Sequence, residues 1–139
     1  MPKTALGLLA NASKTAVLLT GLLLLAGCAG VSLESADLGK TRQTALGEVL
    51  VDRNGNTLYT YEPDPPGAST CTGACAVAWP PAEADAGAQA ANDFTVITRP
   101  NGERQWAYKG KALYGYLFDN GPGSVSGEGV DGVWHVAKP

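Results

Sequence analysis

Slid along itself by 55 residues, the chain falls into register with its own second half. Gly55 meets Gly110, Leu58 meets Leu113, Tyr59 meets Tyr114 and Tyr61 meets Tyr116. Further on, Asp64 meets Asp119, Ser69 meets Ser124 and Trp79 meets Trp134. Identities that include tyrosine and tryptophan, all at one offset, mark a divergent tandem duplication. Its centre is a seven-residue skeleton, "LYTYEPD" at 58–64 and "LYGYLFD" at 113–119. Whatever unit this chain folds into, it folds into twice. The second copy carries Ser126 and Val130 where the first carries Cys71 and Cys75, so a link between those cysteines is an addition to the unit and not its foundation.

The N-terminal segment stands apart from the repeat. Lys3 and Lys14 precede the apolar run "AVLLTGLLLLAGC", which breaks off at Cys28. A basic start, a short apolar stretch and small residues before a cleavage point make an export signal. The run is too short to read as a membrane-spanning helix. "LAGC" at 25–28 resembles a bacterial lipobox, which implies cleavage before Cys28 and acylation of that cysteine, so that residues 1–27 are removed and the protein is anchored to a membrane through its N-terminal acyl chains. An ordinary signal peptide with a chance cysteine is the alternative. By resemblance to other lipoproteins, Ala29 after the cysteine would not retain the protein at an inner membrane. The expected location is the cell envelope, on the outer-membrane or periplasmic side in a diderm cell and on the outer face of the plasma membrane in a monoderm one.

Export changes the charge balance. The full chain has 10 basic and 13 acidic residues, and loss of Lys3 and Lys14 leaves 8 − 13 = −5. A chain this acidic, with no basic run, is a poor partner for nucleic acid or for electrostatic docking on anionic lipid. Cys71 and Cys75 remain as an even pair in an exported protein, for which a disulfide is the first reading. A redox-active dithiol and a metal site are the alternatives. The former ordinarily shows Cys-x-x-Cys, and the latter wants four ligands where the mature chain has a single histidine, His135.

Along the mature chain, residues 28–46 are small and polar and read as a lipidated cysteine followed by a flexible tether. From Gly47 the pattern changes. "GEVLVD", "RNGN" and "TLYTY" read as a hairpin about an Asn-Gly turn. "STCTGACAVAWPP" at 69–81 reads as a short helix capped by Ser69 or Thr70 and stopped by Pro80 and Pro81, with Cys71 and Cys75 one turn apart on it. Residues 82–93 are an Ala-rich surface loop. "FTVITR", "ERQWAY" and "ALYGYLF" form a three-strand meander, and "GVWHVAKP" a last strand. The expectation is an all-β domain, or mainly β with one short helix near 70–79: a small antiparallel domain over 47–139, with one repeat at about 47–93 and the other at about 94–139.

The combination of "GEVLVDRNGNTLYTYEPD", "CTGACAVAWPP" and "NGERQWAYKGKALYGYLFDNGPGSVSGEGVDGVWHV" resembles the bacterial secreted-repeat lipoprotein family, known for a Tyr-x-aromatic-x-x-Asp motif. Ala112 stands where members often carry Pro. The resemblance implies an exported, often lipid-anchored protein, and it brings no established biochemical activity with it.

The candidate binding residues are therefore those of the repeated motif, Tyr59, Tyr61, Asp64, Tyr114, Tyr116 and Asp119, together with Trp106. Alternate residues of a strand share a face, so each tyrosine pair can pack in a core or offer a platform to a sugar. Each aspartate enters a Pro/Gly-rich loop, where it can accept loop N–H groups or serve a ligand. Asp119, Glu128 and Asp131 could make an oxygen-rich calcium site, but at a spacing that matches no known loop. Trp79 and Trp134, as repeat equivalents, suggest a shared packing role. His135 has no partner motif, which leaves no catalytic residues and no cofactor to name. The sequence thus supports a non-enzymatic binding or structural module for an envelope protein or cell-wall glycan. A redox accessory using Cys71 and Cys75 is the alternative, and a hydrolase comes third.

Overall fold

The structure is a computed structural model that describes residues 38–139. The expected export signal and the expected acylation at Cys28 lie outside the described residues. The domain is mainly β: β1 (Thr41–Thr44), β2 (Gly47–Leu50), β3 (Tyr59–Tyr61), the short helix α1 (Ala74–Ala78), β4 (Phe94–Thr98), β5 (Arg104–Tyr108), β6 (Lys111–Ala112) and β7 (Trp134–Val136), with a 3-10 turn at Val130–Gly132. All strand pairs are antiparallel: β1 with β2, β3 with β7, and β4 with β5 with β6.

The expected meander forms over 94–112, and its third strand, expected over 112–118, is only Lys111–Ala112. Its tight turn follows from backbone chemistry. Lys109 and Gly110 both have positive φ, 47° and 79°, which is the type I′ geometry that matches the twist of a two-residue hairpin. The equivalent turn of the first copy is one residue longer. Val51 bridges to Thr57, a separation of six, where Ala107 pairs with Ala112, a separation of five. Asp52 closes that longer turn by accepting the N–H groups of Asn54 and Asn56 at 2.8 and 2.9 Å.

Two expectations need correction. The tether was expected to run to residue 46, but Thr41–Thr44 is a strand paired along its length with β2. "TRQT" has no apolar residue and is largely exposed, so no hydrophobic alternation announces it. The short helix begins at Ala74 with Gly73 as its N-cap and no side-chain cap, so Cys71 precedes it. Ser69 and Thr70 are engaged elsewhere, as described below.

The two copies are related by a local two-fold axis, and each completes the other. At the axis Tyr59 and Tyr114 exchange both backbone hydrogen bonds, at 2.8 and 2.9 Å. β7 of the second copy pairs with β3 of the first, Val136 opposite Tyr59 and Trp134 opposite Tyr61. The reciprocal ladder joins Trp79–Pro81 of the first copy to the tyrosine segment of the second: Gly115 N–H donates to Pro80 O at 2.8 Å, and Pro81 bridges Tyr114. Pro80 and Pro81 have no N–H to give, so this second ladder is thinner. The correspondence extends to Ala82 N–H on Leu113 O and Ala137 N–H on Leu58 O, at 2.9 and 2.8 Å. It continues in Leu117 N–H on Ala78 O and Glu62 N–H on Val133 O.

Alternation along these strands sends side chains into two apolar clusters. Leu50, Leu58, Phe94, Trp106 and Leu113 fill one. Val49, Val51, Tyr59, Ala107, Tyr114, Trp79 and Trp134 fill the other. Trp79 and Trp134 lie face to face at the centre of the second cluster, ring centroids 3.8 Å apart and planes 4° from parallel. Trp134→Ala is expected to cost about 3–5 kcal/mol, as for large aromatic truncations in a core. Its neighbour His135, on the opposite and half-exposed face, serves as the control, expected to change stability by less than about 0.5 kcal/mol as Ala. Denaturant unfolding followed by circular dichroism distinguishes the two.

Candidate functional site

Residues of the repeated motif converge on the local axis, and they bond to each other across it. Tyr59 Oη donates to Asp119 Oδ2 at 2.9 Å, and Tyr114 Oη donates to Asp64 Oδ2 at 2.6 Å. Each tyrosine therefore reaches the aspartate of the other copy. The remaining oxygen of each aspartate holds its own loop. Asp64 Oδ1 accepts Thr70 N–H and Thr70 Oγ1, both at 2.7 Å. Asp119 Oδ1 accepts Ser124 Oγ at 3.0 Å and Ser126 N–H at 3.1 Å. The expected ties from aspartate to loop backbone are present, but the crossing tyrosine hydroxyls were not foreseen. A motif read in one copy does not reveal that its partner sits in the other.

Tyr59 and Tyr114 are fully buried and Asp64 is nearly so. A buried carboxylate needs compensation. Arg99, itself buried, supplies it through intermediaries: one guanidinium nitrogen, Nη1, donates to Ser69 Oγ at 2.8 Å and to Gln105 Oε1 at 2.7 Å, and Nη2 donates to Cys71 O at 2.7 Å. Ser69 Oγ lies 2.7 Å from Tyr114 Oη, which completes a chain from Arg99 through Ser69 and Tyr114 to Asp64. Sequence reasoning missed Arg99 and Gln105. The available signal was polar residues at strand positions whose neighbours alternate with the aromatic face of Trp106. The first copy has Thr44 and Val49 at the corresponding places, and Asp119, on that side, is only half-buried.

Four rings stack through the axis in the order Tyr61, Trp134, Trp79, Tyr116, with centroid separations of 4.4, 3.8 and 4.1 Å. Tyr59 meets Trp79 edge-on and Tyr114 meets Trp134 edge-on, at 5.4 and 5.1 Å. Edge-to-face and offset stacking both suit the ring quadrupoles. The loop over this stack comes so close that only glycine fits. A Cβ on Gly127 would sit 2.8 Å from both Trp79 and Tyr59, while Gly127 N–H donates to Tyr59 Oη at 3.2 Å.

Trp106 does not join this group. It packs in the other cluster with Leu50, Leu58 and Leu113, and its strand neighbour Tyr108 meets Phe94 at 4.7 Å. It borders a cleft of about 400 Å³ shared with Leu58, Pro80–Pro81, Arg53, Glu83 and Asp85. Cys71 and Cys75 are bonded to each other, with Cys71 buried. His135 lies 3.2 Å from Glu128 and 3.7 Å from Glu62 on the surface. Asp119, Glu128 and Asp131 do not converge, and among the described residues no three His, Cys, Asp or Glu side chains cluster for a metal.

Two copies of one β unit, exchanging strands and motif contacts about a local axis, define a tandem-repeat domain. A family model described as a secreted repeat of unknown function matches residues 40–83 and 95–138, and the chain belongs to that family. The matched segments are themselves offset by 95 − 40 = 55 and 138 − 83 = 55 residues, the displacement read from the identities. Membership implies an extracellular or envelope location. No curated protein and no solved structure matches the chain.

Burial raises the pKa of Tyr114 to about 12, and the Asp64 carboxylate beside its hydroxyl adds to the effect. Burial raises Tyr59 in the same direction, with Asp119 contributing. In the unfolded chain a tyrosine ionises near 10. The folded state thus prefers the neutral phenols. That stability is fully present below about pH 10 and is lost as pH rises through about 12. In an alkaline titration, tyrosinate absorbance from these two residues is expected to rise together with loss of the folded circular dichroism signal. Tyr114→Phe leaves Asp64 and Ser69 without that hydroxyl and is expected to cost about 1–3 kcal/mol. A Tyr114→Phe/Asp64→Asn double-mutant cycle should show coupling, whereas Tyr114→Phe with Asp52→Asn should be additive. Cys71→Ser/Cys75→Ser opens a five-residue loop and should lower stability by about 2 kcal/mol on the chain-entropy scale.

Proposed function

We propose that this protein is a lipid-anchored envelope module that works by binding and not by catalysis, and that it takes a cell-wall glycan. The observation that carries the reading is the fate of the repeated motif. The hydroxyls of Tyr59 and Tyr114 and the carboxylates of Asp119 and Asp64 are spent on each other across the local axis, and neither aspartate stands free beside a nucleophile. The cleft beside Trp106 offers a concave surface apart from the motif. Its apolar walls, Leu58 and Pro80–Pro81, suit the C–H face of a sugar, and Arg53, Glu83 and Asp85 at its border suit sugar hydroxyls. The side chains of these three charged residues have no hydrogen-bond or ion-pair partner among the described residues. The lipobox at 25–28 supports anchoring through Cys28, and the −5 charge of the mature chain supports attachment by acyl chains and not by a basic surface.

Co-sedimentation with insoluble peptidoglycan tests the ligand. The wild-type protein is expected to pellet with it, and Glu83→Ala/Asp85→Ala to remain in the supernatant with unchanged circular dichroism. A wild-type protein that stays soluble overturns the glycan reading. Cys28→Ser is expected to abolish acylation, seen as loss of the lipid mass on the N-terminal peptide.

A further inference from the structure

The two copies are nearly equivalent inside and unlike outside. Four large apolar side chains are notably exposed among the described residues, and three of them share one place. Val77 is 67 % exposed on α1, and Leu117 and Phe118 are 56 % and 62 % exposed on the loop after Tyr116. Leu117 N–H donates to Ala78 O at 2.9 Å, which joins loop to helix, and Phe118 meets Tyr116 edge-on at 5.4 Å. Residues 69–82 and 112–118 contain no charged residue and no histidine. At the equivalent place in the other copy stand Glu62, Pro63 and Gly132, beside Glu128, Asp131 and His135. One end of the pseudo-symmetric molecule is therefore apolar and the other acidic. The disulfide falls on the apolar end alone, where Cys75 belongs to α1 and Cys71 is fixed in the core. A helix of five residues with no buried side chain could not hold its shape unaided, and the link makes it a rigid knob.

We infer that this knob, Val77 with Leu117 and Phe118, docks on the surface of the lipid bilayer; the inference rests on the anchoring at Cys28 proposed above. Two facts point to lipid and not to a protein partner. Cys28 and Leu38 are 38 − 28 = 10 residues apart, a reach of at most ~35 Å. A domain of about 100 residues has a radius of gyration of about 13 Å, so the tethered domain cannot leave the neighbourhood of the bilayer. The chain also enters the domain beside the knob. Leu38 borders the same cleft as Pro80 and Gly115, each two residues from the Ala78–Leu117 hydrogen bond. Three side chains would bind lipid too weakly from solution, but a tether raises the effective concentration to the order of millimolar, where a weak contact is populated. Docking would turn the acidic end away from the membrane.

The test is hydrogen–deuterium exchange of the acylated mature protein, Cys28 to Pro139, in vesicles of phosphatidylethanolamine with a minor fraction of phosphatidylglycerol, compared with the same protein in detergent solution. Amides of 74–78 and 116–119 are expected to be protected in vesicles, and Phe118→Glu with Leu117→Glu to lose that protection while exchange elsewhere is unchanged. An acylated protein with equal exchange in both states overturns the docking and leaves the anchor standing. Protection that grows with protein density on the vesicle points to a second copy, and protection that appears only with added envelope extract points to a protein; either overturns the lipid assignment. A Cys28 peptide without acyl mass, measured in the same sample, removes the anchor and the docking with it.

Discussion

The structure depends on an exchange. Tyr59 and Tyr114 pair backbone to backbone at the local axis, and each sends its hydroxyl to the aspartate of the other copy. A buried phenol, a carboxylate (buried at Asp64, half-buried at Asp119) and the adjoining loop are thereby satisfied by one arrangement made twice. Such a network is stable only when complete, because every member left without its partner in a low-dielectric interior costs free energy. The stacked Trp79 and Trp134 lie where this exchange brings the copies together. The close approach at Gly127 and the buried Arg99 are further consequences of packing that arrangement tightly.

Much of this was legible in the sequence, for identifiable reasons. The 55-residue offset survives because the residues at the axis must satisfy the same geometry from both sides, so Tyr59 and Tyr114, or Trp79 and Trp134, have little freedom to differ. Strands with apolar alternation, such as Phe94–Thr98 and Arg104–Tyr108, declare themselves. Thr41–Thr44 does not, because an exposed edge strand needs no apolar face. Arg99 was invisible as a core residue because a single arginine just past a strand end is ordinarily a surface residue, and only the three-dimensional position of Ser69, Gln105 and Cys71 O explains it. The partner of each motif aspartate was also beyond reach, since a repeat seen in one dimension gives no reason to pair a tyrosine with the aspartate 60 residues away and not with its own.

Symmetry separates structure from function in this molecule. What the copies share is buried and holds the domain together. Apart from the buried Arg99–Gln105 network and Cys71, what they do not share lies outside: the apolar knob, the type of turn, and the cleft beside Trp106 with its charged border. After a duplication, interior positions remain constrained by each other while each exterior is released to change alone. The differences between the copies are therefore a better guide to activity here than the motif that first draws the eye.

The strand exchange has one more consequence. The last strand of each copy completes the sheet of the other, so half of this polypeptide has neither a whole sheet nor a whole aromatic stack. The same contacts made by a chain with a single copy would have to be made between two chains, as an isologous dimer. Residues 84–93, held down where Arg104 reaches the carbonyls of Asp85, Ala86 and Ala88, make that association intramolecular. The domain is in effect a homodimer written on one polypeptide, freed from dependence on its own concentration.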